Sequence, residues 1–308
     1  MTARLFIDGA AGTTGIDIRE RLAGRTDVEI LLLDEARRKD ASARREALND
    51  ADFVILCLPD DAAREAVALI DNDRTRVIDA SSAHRVADGW TYGFPELEPD
   101  GTARIAAATR VSNPGCYPTG FLALVRPLVR VGLIPADWPV SVNATSGYSG
   151  GGKAMIADYE AGGASAFRPY ALSLAHKHVP EMTLHSGLTH APIFAPAVAN
   201  VRQGMAVEVP LPLHALPGRP TLAALTDALS AAYDGQPLVS VATDQPTGIA
   251  IEENAGTDRL TLRVLGNDAT GQARLIATLD NLGKGAGGAA VQNLNIMAGL
   301  DPLAGLHR

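Results

Sequence analysis

Two cysteines occur in 308 residues, and their settings differ. Cys57 closes the apolar run Phe53-Val54-Ile55-Leu56-Cys57-Leu58, where a thiol behaves as a small hydrophobe inside a strand. Cys116 sits in Ser112-Asn113-Pro114-Gly115-Cys116-Tyr117-Pro118-Thr119-Gly120, ahead of an apolar helix carrying Phe121, Leu122, Val125, Leu128 and Val129 and ending near Gly132. Pro118 suits the first turn of that helix, whereas Pro127 is expected to kink it. The unpaired N–H groups and dipole at a helix start stabilise a thiolate, so Cys116 is the expected nucleophile. A thiolate needs a proton-transfer partner, and histidine alone has an ordinary pKa near neutrality. His176 and His178 flank Lys177 and precede Pro180 and Glu181; an extended backbone would aim both rings the same way, with Glu181 placed to orient one of them. His185, His190, His214 and His307 read as surface residues. With no C-x-x-C pair, no metal site is expected.

A second chemical feature opens the chain. Asp8-Gly9-Ala10-Ala11-Gly12-Thr13-Thr14-Gly15 lies between a first strand and a first helix. Glycines there permit a tight turn and let backbone N–H groups approach a pyrophosphate seated on the helix N-terminus. Gly9, Gly12, Thr13, Thr14 and Gly15 are therefore the expected nucleotide contacts. Asp34, after the second strand, suits the ribose hydroxyl of NAD, while Arg37, Arg38 and Lys39 suit a 2′-phosphate. The residues alone leave NAD and NADP equally supported. Ser146-Gly147-Tyr148-Ser149-Gly150-Gly151-Gly152-Lys153 follows a strand and reads as a nest of backbone donors beside a cation, suited to an anionic substrate. Asp79 to Arg85 ends another strand, at the sheet edge where ligands bind in open α/β folds.

The elements that position these groups fall into two patterns. Up to about residue 113, apolar strands (5–7, 28–33, 53–58 and 76–79) alternate with helices (15–22 and one from Asp60), which predicts a doubly wound parallel sheet covered on both faces. Beyond it, strands come in runs: Val140–Ala144, Met205–Leu211, Leu260–Leu265 and Arg274–Leu279, with a helix from Thr221 to Tyr233. Pro210 and Pro212 suggest that the 205–211 strand lies at an edge or ends there. The fold class is thus α/β, a Rossmann-type doubly wound domain up to about residue 113 followed by an α+β domain. The Gly- and Ala-rich tail from Lys284 to Leu300 carries Val291, Leu294 and Met297 at helical spacing.

Composition limits the partners. Hydrophobic residues make up 46% and charged ones 20%, a globular balance. Lys plus Arg number 27 against 35 Asp plus Glu, a net charge of −8, which argues against nucleic acid as partner. No apolar run reaches the length of a membrane span, and Met1-Thr2-Ala3-Arg4-Leu5-Phe6 enters a strand without a signal-peptide pattern. Two cysteines exclude a disulfide scaffold, so a soluble cytoplasmic protein with a small-molecule substrate is expected.

Taken together, these pieces resemble the short-form N-acetyl-γ-glutamyl-phosphate reductases of arginine biosynthesis. The resemblance rests on the glycine loop, the 112–119 cysteine box and His176-Lys177-His178-Val179-Pro180-Glu181. It extends to Asp79-Ala80-Ser81-Ser82 with Arg85, Tyr92-Gly93-Phe94-Pro95-Glu96-Leu97, and Asp280-Asn281-Leu282-Gly283-Lys284-Gly285-Ala286 through Asn293. These occur in family order over nearly the whole chain; Leu124 departs, since the family usually has a small residue behind the cysteine. The resemblance implies the fold of aspartate-semialdehyde and glyceraldehyde-3-phosphate dehydrogenases, with the C-terminal helix returning to the first domain. That makes 1–113 and 285–308 the dinucleotide-binding domain and 114–284 the catalytic and oligomerisation domain of a homo-oligomer, dimer or tetramer. It implies NADP(H), making Arg37 and Arg38 contacts of the 2′-phosphate and adding Ser81, Asn281 and Lys284 to the cofactor set. It implies that Arg85, Asn113, Ser146, Gly147 and Lys153 bind substrate. In the implied reaction Cys116 forms a thioester from an acyl phosphate, hydride reduces it to the semialdehyde, and His178 manages the proton, with His176 in reserve and Glu181 behind them. Alternatives are an aspartate-semialdehyde or amino-carrier-linked lysine-pathway reductase of the same fold, a cysteine hydrolase and a non-catalytic nucleotide sensor.

Overall fold

The computed structural model describes residues 2–34, 36–38 and 40–308; Lys39, expected near the cofactor, lies outside them. The chain divides into two units, Met1–Gly115 with Ala286–Leu306 and Cys116–Gly285 with His307–Arg308.

In the first unit β1 (Ala3–Asp8), α1 (Thr13–Leu22), β2 (Val28–Leu31), α2 (Ala41–Asp50), β3 (Phe53–Leu56), α3 (Asp60–Ala68) and β4 (Arg76–Asp79) alternate strictly. β5 (Thr91–Tyr92), α4 (Gly101–Ala107) and β6 (Arg110–Ser112) complete this stretch. The six strands form one sheet, ordered β2-β1-β3-β4-β6-β5, and every pairing is parallel. Alternate residues feed opposite cores. Leu5, Ile7, Ile55 and Ile78 pack with Ile18 and Leu22 of α1, while Phe6, Val54, Leu56 and Val77 pack with Leu48, Ala63 and Ala66. A sheet covered on both faces must be apolar at every position, which is why its strands read as continuous runs.

Helix α2 was not expected, because only Ala43 and Leu48 of its ten residues are buried and its polar majority hides the periodicity. Its start is nevertheless encoded: the Asp40 carboxylate accepts the Ala43 N–H at 2.7 Å.

The second unit opens with α5 (Cys116–Arg130), β7 (Ser141–Gly147), α6 (Gly152–Glu160), β8 (Phe167–Pro169) and α7 (Val179–Ser186). It continues through β9 (Ile193–Ala199), β10 (Met205–Leu211), α8 (Leu222–Ala232), β11 (Val239–Ala242), β12 (Leu260–Asn267) and β13 (Gln272–Leu279). Its seven-stranded mixed sheet runs β11-β12-β13-β10-β7-β9-β8. Helix α5 lies across β10, β12 and β13, and Gly120 permits the close approach, since a Cβ there would stand 2.8 Å from the Val207 methyl. Leu124 is fully buried in that helix, so the packing absorbs the larger side chain.

The edge position expected for β10 is corrected: it lies between β13 and β7. Pro210, the one proline inside it, is tolerated because β7 pairs only with Met205–Glu208, leaving Pro210 with β13 alone as neighbour, and Pro212 lies just past the strand's end. The remaining helix, α9 (Gly288–Ala298), belongs to the first unit, where Ala290, Val291, Leu294 and Met297 enter the core of β1, β3 and β4. Its small residues allow all ten positions from Gly288 to Met297 to be buried.

Candidate active site

The glycine loop is built as a cradle. Gly9 has φ +90°, and a Cβ there would lie 2.3 Å from the carbonyl oxygen of Cys57; a Cβ on Gly15 would lie 2.5 Å from the Gly9 oxygen. Gly12 caps α1 with no side-chain hydrogen bond, so no side chain of the cap competes for the first N–H groups, those around Thr13 and Thr14. These features fit a pyrophosphate at the helix start. Beside the loop, an open pocket of about 420 Å³ is lined by Asp8, Gly9, Arg19, Leu33, Arg38 and Leu58, among others.

The residues after β2 divide. Arg38 lines this pocket, whereas Arg37 does not; its exposed guanidinium reaches Glu46 at 3.3 Å. Asp34, weighed for the ribose hydroxyl, shapes the turn here: one carboxylate oxygen accepts the Arg37 N–H at 2.8 Å and its carbonyl the Arg38 N–H. Arg19, one helix away in sequence, carried no motif and escaped the sequence reading.

At the carboxyl end of β4, polar side chains bind one another. The buried Asp79 carboxylate accepts from the Ser81 N–H at 2.9 Å, the Ser81 hydroxyl at 2.8 Å and pairs with His84 Nδ1 at 2.6 Å. Ser81, expected at the cofactor, thus has its hydroxyl engaged with Asp79. Arg85 and Asn113, expected at the substrate, are likewise committed. Arg85 Nε donates to the Asn113 carbonyl at 3.0 Å, and Asn113 Nδ2 donates to the Ala286 carbonyl at 3.0 Å. Asn293 Nδ2 donates to Asn113 Oδ1 at 3.0 Å and to the Gly93 carbonyl at 2.9 Å. These bonds tie both residues to the strand-end loop, engaging both ends of the Asn113 amide and part of the Arg85 guanidinium.

In the second unit Cys116 is the first residue of a fifteen-residue helix. Tyr117 beside it in the chain places its ring 5.9 Å from His178 and 6.2 Å from His176, and those two rings lie 4.6 Å apart. The Tyr170 hydroxyl donates to the Tyr117 hydroxyl at 3.2 Å, and Tyr117 donates to the Ala197 carbonyl at 3.3 Å. Burial pushes the Tyr117 phenol well above its ordinary range, with Tyr170 and Cys116 adding to it. Burial likewise raises Tyr170 to about 12, against the pull of its hydrogen bond to Tyr117. Both phenols therefore stay neutral hydrogen-bonding groups and leave proton exchange to the imidazoles.

The extended backbone expected through the histidines is not formed. His178 is the N-cap of α7 with φ −84° and ψ −12°, and Pro180 occupies the first turn. The rings still meet, because the His178 N–H donates to His176 Nδ1 at 3.1 Å and folds the segment as a turn. His178 and Glu181 are buried, His176 is half-buried, and Lys177 is exposed. Tyr170 and Phe194, which complete the aromatic wall around His176, come from distant segments and gave no local signal.

The donor nest at 146–153 is corrected. The N–H groups of Gly147, Tyr148 and Ser149 donate to the carbonyls of Gly204, Val201 and Arg202 at 2.9, 2.9 and 3.1 Å, so they do not face an anion. Ser146 is buried with its hydroxyl donating to the Gly147 carbonyl, and Lys153 is exposed. Asn281, expected at the cofactor, uses both amide ends inside this unit, accepting the Gly204 N–H at 3.0 Å and donating to the Ser149 hydroxyl at 2.8 Å. Lys284 is buried in the turn Gly283–Gly287 that leads into α9. Among the described residues no group of three or more His, Cys, Asp or Glu could hold a metal ion, and no helix is long and apolar enough to cross a membrane.

Comparison with known proteins covers both units. Residues 4–105 match the family described as semialdehyde dehydrogenase, NAD binding domain, and residues 116–281 match semialdehyde dehydrogenase, dimerisation domain. The chain is similar to the N-acetyl-gamma-glutamyl-phosphate reductase of Mesorhizobium japonicum, 53% identical over 309 residues, covering 97% of this chain and 100% of that protein. It is similar also to that of Chelativorans sp. (strain BNC1), 52% identical over 305 residues and covering 96% and 98%. Among solved structures, aspartate semialdehyde dehydrogenase II from Vibrio cholerae shares the fold, with TM-score 0.69 and 18% identity over 96% of this chain and 98% of that one.

Proposed function

The chain belongs to the N-acetyl-gamma-glutamyl-phosphate reductase family of the semialdehyde dehydrogenases, and from that premise we propose how its own residues carry the reaction. The enzyme uses NADP(H) to reduce N-acetyl-L-glutamyl 5-phosphate to N-acetyl-L-glutamate 5-semialdehyde and phosphate, in arginine biosynthesis. The observation that carries the mechanism is Cys116 at the start of α5, next to a tyrosine whose ring touches two mutually packed histidines.

Cys116 attacks the acyl carbon as thiolate, the carbon–oxygen bond to phosphate breaks, and phosphate leaves with the electron pair. A thioester on Cys116 remains. Gly9, Gly12, Thr13, Thr14, Gly15 and Arg38 would hold NADP(H), which when bound would supply the hydride for reduction of the thioester. His178 takes the thiol proton before attack and returns it to the oxygen that gains charge at the thioester carbon. As the resulting thiohemiacetal collapses, its hydroxyl proton passes back to His178, the carbon–sulfur bond breaks, and the aldehyde leaves with the Cys116 thiolate regenerated. We favour His178 over His176 because His176 Nδ1 is already occupied by the His178 N–H, which gives it a positioning role. Glu181, buried in the first turn of α7, supports that turn. Ser146 and Lys153 stay as substrate contacts, and Lys284 as a cofactor contact.

We further place the chain as a cytoplasmic homo-oligomer. Phe167, Leu172, Leu174 and Ile193 are exposed large hydrophobics on or beside β8 and β9, next to an open pocket of about 330 Å³. A second copy would cover them.

The test is NADP⁺ reduction by N-acetyl-glutamate semialdehyde with and without inorganic phosphate. Turnover that needs phosphate supports the proposal. Turnover without phosphate, or equal efficiency with aspartate semialdehyde, overturns it.

A further inference from the structure

The pocket beside the glycine loop holds more charge chemistry than the mechanism uses. Two guanidinium-bearing residues line it, Arg19 from α1 and Arg38 from the turn after β2. Among the described residues, no carboxylate pairs with Arg19. Two acids come from the segments that form this wall, Asp8 within it and Asp34 next to Leu33 in the chain. Asp34 caps its own turn through the Arg37 N–H at 2.8 Å. Asp8, itself in the pocket wall, is held by Arg44 of α2, whose Nε and terminal nitrogen reach one carboxylate oxygen at 3.1 and 2.8 Å. That ion pair is largely desolvated, with side-chain exposures of 7% for Asp8 and 15% for Arg44.

An acid at this place would hold a ribose hydroxyl and repel a phosphate; cations would do the reverse. A phosphate monoester carries about −1.5 to −2 charges near neutrality, so the wall suits it only while Asp8 is neutralised. Arg37, whose position in the sequence looks equally suitable, faces Glu46 instead.

We propose that discrimination for the 2′-phosphorylated ribose rests on Arg19 together with Arg38, and that Arg44 acts as a positioning residue by masking the charge of Asp8. The proposal rests on the NADP(H) assignment above and names the residues that enforce it.

Two probes differing by one phosphate, adenosine 2′,5′-bisphosphate and adenosine 5′-monophosphate, isolate the effect by calorimetric titration. The wild-type enzyme binds the bisphosphate more tightly, and that preference shrinks as salt screens it. Arg19→Ala reduces the preference roughly tenfold, about 1.4 kcal/mol, with little change for the monophosphate. Arg37→Ala leaves the preference in place. Arg44→Met lowers it by exposing the Asp8 carboxylate, and Asp8→Asn with Arg44→Met restores it, a coupling that general loss of structure would not produce. A wild-type preference that survives Arg19→Ala overturns this proposal, even if Arg44→Met fails to fold. Absence of any wild-type preference overturns the NADP(H) assignment itself, so the two failures are distinguishable.

Discussion

Cys57 and Cys116 each sit where a chain segment changes from one element to another, and each has a glycine pressed against it. Cys57 follows β3, just past the strand in which it was expected, and its carbonyl oxygen and Cβ would lie 2.3 and 3.2 Å from a Cβ on Gly9. Cys116 opens α5, and its own Cβ would lie 2.9 Å from a Cβ on Gly285. The chemistry of the two diverges because of what surrounds the sulfur. Burial, then the carboxylates of Asp79, Asp8 and Asp17, push the Cys57 thiol up to about 12, which keeps it neutral at any ordinary pH. Cys116 has a helix start beneath it and two imidazoles beside the adjoining tyrosine. A thiol's task is set first by how far it is taken out of water and then by the charges and partial charges around it. Cys57 supports the glycine loop through its backbone, and in the proposed mechanism Cys116 acts through its sulfur.

Exchanging the sulfur breaks the comparison most sharply. Cys116→Ser is expected to lower kcat by about 10³-fold or more while nucleotide affinity by titration stays intact, since a serine hydroxyl is barely ionised without a strong base. A mutant retaining near-normal kcat would remove Cys116 from the mechanism. Next, His178→Asn is expected to cost about 10²–10⁴-fold in kcat with a much smaller change in KM. If His176→Asn instead gives the larger loss, the proton role moves two residues; loss in neither ends the cysteine–histidine pairing.

A smaller effect tests the glycine behind the nucleophile. Gly285→Ala is expected to lower kcat by about 10-fold to 10²-fold, because a displacement of about 1 Å at the reacting atom has that scale of consequence. Melting temperature and nucleotide affinity measured alongside separate displacement from unfolding. Smallest is Cys57→Ala, expected to keep kcat and lose about 1 kcal/mol of stability in a denaturant titration.

The same contrast has a pH signature. Iodoacetamide reacts with thiolate, so native protein at pH 7 to 9 should be alkylated at Cys116 and spared at Cys57, read by peptide mass. The sign for stability follows from the raised Cys57 pKa. Its contribution is fully present below the unfolded thiol value near 9 and is lost as pH rises towards about 12, because only the unfolded chain ionises there. Cys57→Ala should flatten that alkaline decline.

Much of this architecture is legible along the chain because it is local. Continuous apolar strands announce a sheet buried on both faces, and Pro-Gly before an apolar helix announces a helix start at Cys116. The glycine loop declares itself by its position between β1 and α1, and the small-residue tail by its helical spacing. The sequence by itself therefore determined the sheet buried on both faces, the glycine loop between β1 and α1, the cysteine at the start of α5 and the meeting of the two histidines. Only the tertiary structure decided which polar groups remain for a ligand. Gly147, Tyr148 and Ser149 form a donor-rich string in sequence, yet their N–H groups are used by carbonyls from residues 201–204. Arg37 and Arg38 are neighbours, yet one meets Glu46 and the other the pocket, while Arg19 joins the pocket from α1. Spacing reports the period of a helix or strand, whereas hydrogen-bond satisfaction and charge pairing depend on partners tens or hundreds of residues away. No local pattern can show that Asn113 is already bonded to Asn293, because that bond exists only once α9 has returned to the first sheet.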